Sequence, residues 1–359
     1  MILPQLYRRT YKMIKMNVFA CRLVYSLAMT LPMISLAAVN DVAVLESIFT
    51  NADAPRAFSG VAVIAKGNDI TFSYTSASQS VVDGLDAAEF ILQTPFVIAS
   101  LSKQMTAALV LREVDQGRIN LDAPITQYLE YLNGKWDTVI TVRQLLNHLS
   151  GIIAIDKPLK TIPGEVFAYS NTGYNLLGEI VVKTSGKDYQ LLASEMFKRC
   201  GMDNTNASSN TDNAVRYHEK SVGELVAMTK DLPARFTPSA GIISTAEDLV
   251  AWNQCLHNSD LLSAKSHLQM VSKAATRKHR WGDLGYGFGL QLSGSGTVQE
   301  WSHSGYVLGY ISTLSYYPES DTSMVLLENI SWYPKDMTRV FYYHDQLRKQ
   351  LLKTAIDNN

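Results

Sequence analysis

The chain has 359 residues, with 32 Lys plus Arg against 33 Asp plus Glu, a formal net charge of −1. Near-neutral charge without a long basic run excludes a nucleic-acid binder held mainly by phosphate contacts, and 47% hydrophobic residues exclude a disordered chain. Three cysteines, Cys21, Cys200 and Cys255, are too few and too scattered for a disulfide scaffold or a cysteine zinc site.

Residues 1–38 carry Arg8, Arg9, Lys12, Lys15 and Arg22 and no acid, and an apolar run from Leu23 ends in Ser35-Leu-Ala-Ala38. Basic stretch, apolar stretch and small-residue end together read as a secretory signal peptide over 1–38, with export to the periplasm or the exterior expected. An uncleaved membrane anchor is the alternative, but the sixteen uncharged residues fall short of the roughly 20 that span a bilayer. Cleavage after Ala38 removes five basic residues and leaves 27 basic against 33 acidic residues, a net charge of −6. It also leaves two cysteines, which either pair in an oxidising compartment or remain two buried thiols.

The pattern after the signal predicts a short helix over 42–49 and a β-hairpin from Val61–Lys66 and Ile70–Tyr74 around a Gly67-Asn-Asp69 turn. Residues 77–92 are polar and irregular. At Ser100 the pattern becomes helical and stops near Gly117. Further helices are expected after a capping box at Thr141-x-x-Gln144, over 172–184, over 188–200, from a second capping box at Ser244-x-x-Glu247 through His257, and over 261–272. Strands follow at 286–292, 298–301, 310–317 and 324–330, and a closing helix at 336–356. The expected fold class is α/β of the α+β type, an antiparallel sheet flanked by N- and C-terminal helices. The early hairpin needs further strands to be stable, so one sheet domain from 39–100 and 276–359 is split by a mostly helical insertion, 101–275.

Three stretches carry chemistry. Ser100 and Lys103 are three apart at the start of a predicted helix, which puts both on one face. A serine hydroxyl is a weak nucleophile until a base takes its proton, and a lysine serves once burial and the helix dipole lower its pKa towards 7–8. Tyr169-Ser-Asn171 lies on a turn into a helix. A tyrosine beside a lysine ammonium would ionise more easily and share proton transfer, and Asn171 offers an amide to both lysine and substrate. His303-Ser304-Gly305-Tyr306 lies at the end of a short strand. The imidazole donates a hydrogen bond and becomes cationic as pH falls through about 6.5, and Gly305 permits close backbone approach. Taken singly, each stretch also reads as a cap, a core tyrosine or a surface histidine.

Together, in this order, the stretches resemble the serine hydrolase family of class C β-lactamases, D-alanyl-D-alanine carboxypeptidases, D-aminopeptidases and related esterases. Leu145–Ile152, Pro238–Trp252, Tyr286–Leu290 and Met324–Asn329 resemble further segments of that family. The resemblance implies a β-lactamase/transpeptidase-like fold, Ser100 as nucleophile, and Lys103 and Tyr169 as base and acid with their division of labour open. It implies His303 as a catalytic-site residue and Asn171, Ser304, Gly305 and Tyr306 as the substrate-binding and oxyanion set. The oxyanion donors it implies are the backbone N–H groups of Ser100 and Tyr306. The substrate would be a small molecule or short peptide, hydrolysed through an acyl-enzyme.

Class C β-lactamases usually carry Lys-Thr-Gly where this chain has His303-Ser304-Gly305. Loss of the ammonium weakens the anchor for a substrate carboxylate, so a D-peptidase or esterase is expected first. A class C-like β-lactamase and a non-hydrolytic penicillin-binding or peptidoglycan-sensing module are the alternatives. Only the twelve residues 152–163 separate Gly151 from Gly164, a short loop that would leave the cleft open. Gly-x-Ser-x-Gly, His-Glu-x-x-His and Cys-x-x-Cys do not occur, and the seven histidines are scattered, so no metal or cofactor is expected.

Overall fold

The structure, a computed structural model, describes residues 36–77, 90–136, 138–208 and 215–357. The signal expected over 1–38 lies, apart from 36–38, outside them. Asp41–Asn359 forms one compact unit. In chain order the elements are α1 (Leu36–Phe49), β1 (Gly60–Lys66), β2 (Asp69–Ser76), β3 (Phe96–Val97), α2 (Ser102–Asp115), α3 (Val142–Leu146), α4 (Asn171–Ser185) and α5 (Tyr189–Arg199). Then come β4 (Tyr217–Ser221), β5 (Glu224–Ala227), β6 (Ile243–Ser244), α6 (Ala246–Asn258), α7 (Ala264–Met270), β7 (Ala275–His279), β8 (Gly282–Tyr286) and β9 (Gln291–Ser295). β10 (Val298–Val307), β11 (Tyr310–Tyr317), β12 (Thr322–Glu328), β13 (Ile330–Ser331), α8 (Met337–Val340) and α9 (Tyr342–Asp357) complete it.

Eight strands form an antiparallel sheet in the order β2-β1-β12-β11-β10-β9-β8-β7. The early hairpin therefore joins the late strands through β1 and β12, as the isolated hairpin required. Alternation along β1 explains its unbroken apolar run. Val61, Val63 and Ala65 enter the core shared with α2 and α4, whereas Ala62 and Ile64 pack with Phe49 of α1 and Tyr343 and Leu347 of α9. Both faces of the sheet are thus covered.

Buried charge is paired where α9 meets the sheet. Arg56 donates to both carboxylate oxygens of Glu328 at 2.6 and 2.7 Å, His344 bridges Glu328 and Thr313, and Arg348 pairs with Glu300. Removing one partner of such a pair strands the other charge in the core.

Several local readings change. The Thr141–Gln144 capping box is present, but α6 is capped by Thr245 accepting from Asp248 N, one residue beyond the expected Ser244. The expected strand 286–292 is interrupted, because Gly287 N donates to Leu290 O in a turn that returns the chain as β9. The last expected strand divides into β12 and β13, and the closing helix into α8 and α9. β7 and the β4–β5 ribbon have no counterpart in the expected elements. They are short and mostly polar, and they offer no clean alternation. His303 lies within the ten-residue β10, not at a strand end. Cys200 and Cys255 are joined in a disulfide.

Candidate active site

The short pair β3–β6 delivers the chain to a tight turn before α2. Ala99 there adopts φ 49, a left-handed conformation that costs an alanine on the order of 1 kcal/mol. The turn leaves Ser100 partly exposed and directs α2 inward. α2 is buried nearly all round, so Lys103 on its first turn has no exposure to solvent. β10 crosses directly over this turn. A Cβ on Gly305 would lie 2.8 Å from both Ala99 Cβ and Ile98 O, so Gly305 is required for strand and turn to meet.

Lys103 Nζ lies 3.0 Å from Ser100 Oγ, 2.8 Å from Asn171 Oδ1 and 2.7 Å from the Ser239 carbonyl. Burial first, and the charge of Arg277 second, hold its pKa well below the ordinary lysine value. Its N–H groups donate to all three oxygens, so the ε-nitrogen is fixed beside the nucleophile by the protein's own acceptors.

Tyr169 donates its phenolic hydrogen to Ser100 Oγ at 2.8 Å. Burial pushes its pKa up to about 12, against the opposing influence of the Ser100 hydrogen bond and Arg277. The easier ionisation expected for Tyr169 is therefore not what the fold produces: the phenol holds its proton. His148 fixes the backbone on either side of Tyr169. Its carbonyl accepts from Ala168 N at 2.8 Å, and its Nδ1 accepts from Ser170 N at 3.2 Å. The Ser170 side chain caps α4, which sets Asn171 at the first helical position.

Ser100, Tyr169, Asn171, Ser304, Gly305 and Tyr306 line one cleft, with Lys103 beneath it. His303 is 1% exposed and sits one layer back, its ring 6.3 Å from that of Tyr169. Its Nδ1 donates to the Ser304 carbonyl at 2.8 Å, and its Nε2 accepts from the Tyr286 hydroxyl at 3.1 Å. Burial, Arg277 and Lys103 hold its pKa well below 6.5, so the expected acid-range titration of His303 is suppressed in the fold. Sequence reasoning missed His148, which stands in the Leu145–Ile152 segment already singled out, and Arg277, whose signal was the basic cluster Arg277-Lys-His-Arg280. Among the described residues no group of three or more His, Cys, Asp or Glu is placed to hold a metal ion.

A family model described as Beta-lactamase matches residues 45–348. Penicillin-binding protein 4* of Bacillus subtilis is 24% identical over 328 residues, covering 79% of this chain and 71% of its own. D-alanyl-D-alanine-carboxypeptidase/endopeptidase AmpH of Escherichia coli is 29% identical over 194 residues, 45% of this chain and 49% of that protein. In fold, the solved D-amino acid amidase of Ochrobactrum anthropi with D-phenylalanine matches with a TM-score of 0.72 at 20% identity, over 90% of this chain and all of that one.

Proposed function

This chain belongs to the Beta-lactamase family of serine hydrolases, and from that premise we propose that it hydrolyses D-amino-acid peptides or related esters through an acyl-enzyme on Ser100. One observation carries the reading: Ser100 Oγ is held between Lys103 Nζ and the Tyr169 hydroxyl at 3.0 and 2.8 Å. Ser100 Oγ attacks the substrate carbonyl as Lys103 takes its proton. The backbone N–H groups of Ser100 and Tyr306 receive the developing oxyanion, a role in which losing one donor costs about 10²–10³ in rate. The bond to the leaving group then breaks, with its proton supplied along the Lys103–Tyr169 pair. Water hydrolyses the ester by the reverse proton path. Asn171 holds Lys103 and presents its amide at the cleft wall.

One relative supports the D-peptide direction by what its name states, the D-alanyl-D-alanine-carboxypeptidase/endopeptidase. Export fits the Cys200–Cys255 disulfide, since disulfides persist in oxidising compartments. No helix among the described residues is long and apolar enough to cross a membrane.

The test is turnover of D-Ala-D-Ala peptides and p-nitrophenyl esters, with mass spectrometry for an acyl adduct on Ser100. Ser100→Ala should lose adduct and turnover together while keeping the circular dichroism of the wild type. Undiminished turnover in that variant would remove Ser100 from the mechanism. A fluorescent penicillin that labels Ser100 and never leaves would favour a penicillin-binding module over a hydrolase.

A further inference from the structure

The cleft wall formed by the β7–β8 hairpin is basic. Arg277, Lys278 and Arg280 line it, and no carboxylate does. Two of the three cations are already engaged. Arg280 pairs with Asp345 at 2.9 Å and stacks on Trp281 and Phe341, and Lys278 pairs with Asp283 at 2.7 Å. Among the described residues, Arg277 is paired with no acid. Its Cζ lies 5.2 Å from the centroid of the Tyr169 ring, and its Nη1 is buried without a hydrogen-bond partner. An orphaned guanidinium N–H in such a place costs free energy unless something completes it. The imidazoles nearby add no positive charge. His279, pushed down to about 3 by burial and by Arg280 and Arg277, is neutral at pH 7, and His303 is neutral for the reasons above.

We infer that Arg277 is the residue by which this cleft selects acyl donors bearing a carboxylate on the leaving-group side. The inference rests on the acyl-transfer reading above. Arg277 stands against Tyr169, the residue placed to serve the leaving group, and a guanidinium grips a carboxylate through paired N–H donors. The positive charge that His303 does not supply from β10 is thus supplied from a neighbouring hairpin. Arg277 is a specificity residue for peptides ending in a free carboxylate, in preference to neutral esters.

A matched pair of chromogenic esters tests this: p-nitrophenyl acetate and 3-carboxy-4-nitrophenyl acetate, which share an acyl group and differ in the leaving-group carboxylate. In Arg277→Gln the ratio of kcat/KM for the carboxylated ester over the neutral one should fall at least about tenfold, the scale of a lost charge-assisted hydrogen bond. Arg277→Lys should recover part of the ratio. A ratio unchanged in Arg277→Gln, or an equal fall with both esters, overturns the inference and leaves the Ser100 reading intact. Undiminished turnover of both esters by Ser100→Ala overturns that reading and this inference with it.

Discussion

Asn171 Oδ1 stands 2.8 Å from Lys103 Nζ and, with the Ser239 carbonyl at 2.7 Å, accepts two of the three hydrogen bonds that the lysine donates. The third is accepted by Ser100. The proton inventory of the site follows: burial lowers the pKa of the lysine, so it becomes a base at lower pH than an ordinary lysine, and the tyrosine, with its pKa near 12, holds its proton.

The pH dependence of acylation follows from that inventory. Lys103 must be an amine to accept the Ser100 proton, so kcat/KM should rise with pH as Lys103 deprotonates and level off well below 10.5. Arg277→Gln removes the second cause of the lowered pKa, which moves the acid limb to higher pH. Profiles of kcat/KM for p-nitrophenyl acetate in the two enzymes check it. Coincident limbs would mean that the Arg277 charge does not reach Lys103.

Tyr169→Phe deletes the proton donor and keeps the ring that packs 4.4 Å from His148. Turnover of an amide or peptide should fall on the order of 10²–10⁴-fold, the range for one acid–base group. p-Nitrophenyl acetate should suffer much less, because nitrophenolate departs without being protonated. Equal losses with both substrates would argue that Tyr169 acts by packing alone.

Acid should weaken the fold from about pH 6.5 downward. His148, His303 and His344 are buried, and burial is the first cause that lowers each pKa below 6.5. On unfolding they regain ordinary affinity for protons, so the unfolded state binds more protons as pH falls below about 6.5. The stability held by the neutral rings is complete above that pH and is lost below it, by up to about 1.4 kcal/mol per pH unit for each ring. Urea midpoints should therefore fall steadily from pH 7 to pH 5.5. Flat midpoints would show that these rings titrate normally in the fold.

Much of the site was legible because its parts are local. Ser100 and Lys103 lie on one helical turn, and Tyr169 and Asn171 flank a helix cap, so spacing alone placed each pair. The early hairpin and the strands from 298 onward showed in their apolar runs. The cap of α6 shifted by one residue because Ser244 and Thr245 are both competent caps, and Ser244 is instead taken up in β6. β7 was invisible because Ala275–His279 is polar, with a stripe too short to show a period. With β7 went Arg277.

The sequence by itself put Ser100 and Lys103 side by side and pointed to the family, since those signals rest on residues close in the chain and on ordered segments. Only the tertiary structure decided the direction of the pKa shifts and the placement of Arg277. Burial lowers the pKa of Lys103 and of His303 and raises that of Tyr169, and burial is set by contacts between distant segments. Arg277 comes to Tyr169 from 108 positions further along the chain, carried there by the pairing of β7 with β8 at the edge of the sheet, a juxtaposition that no local spacing encodes.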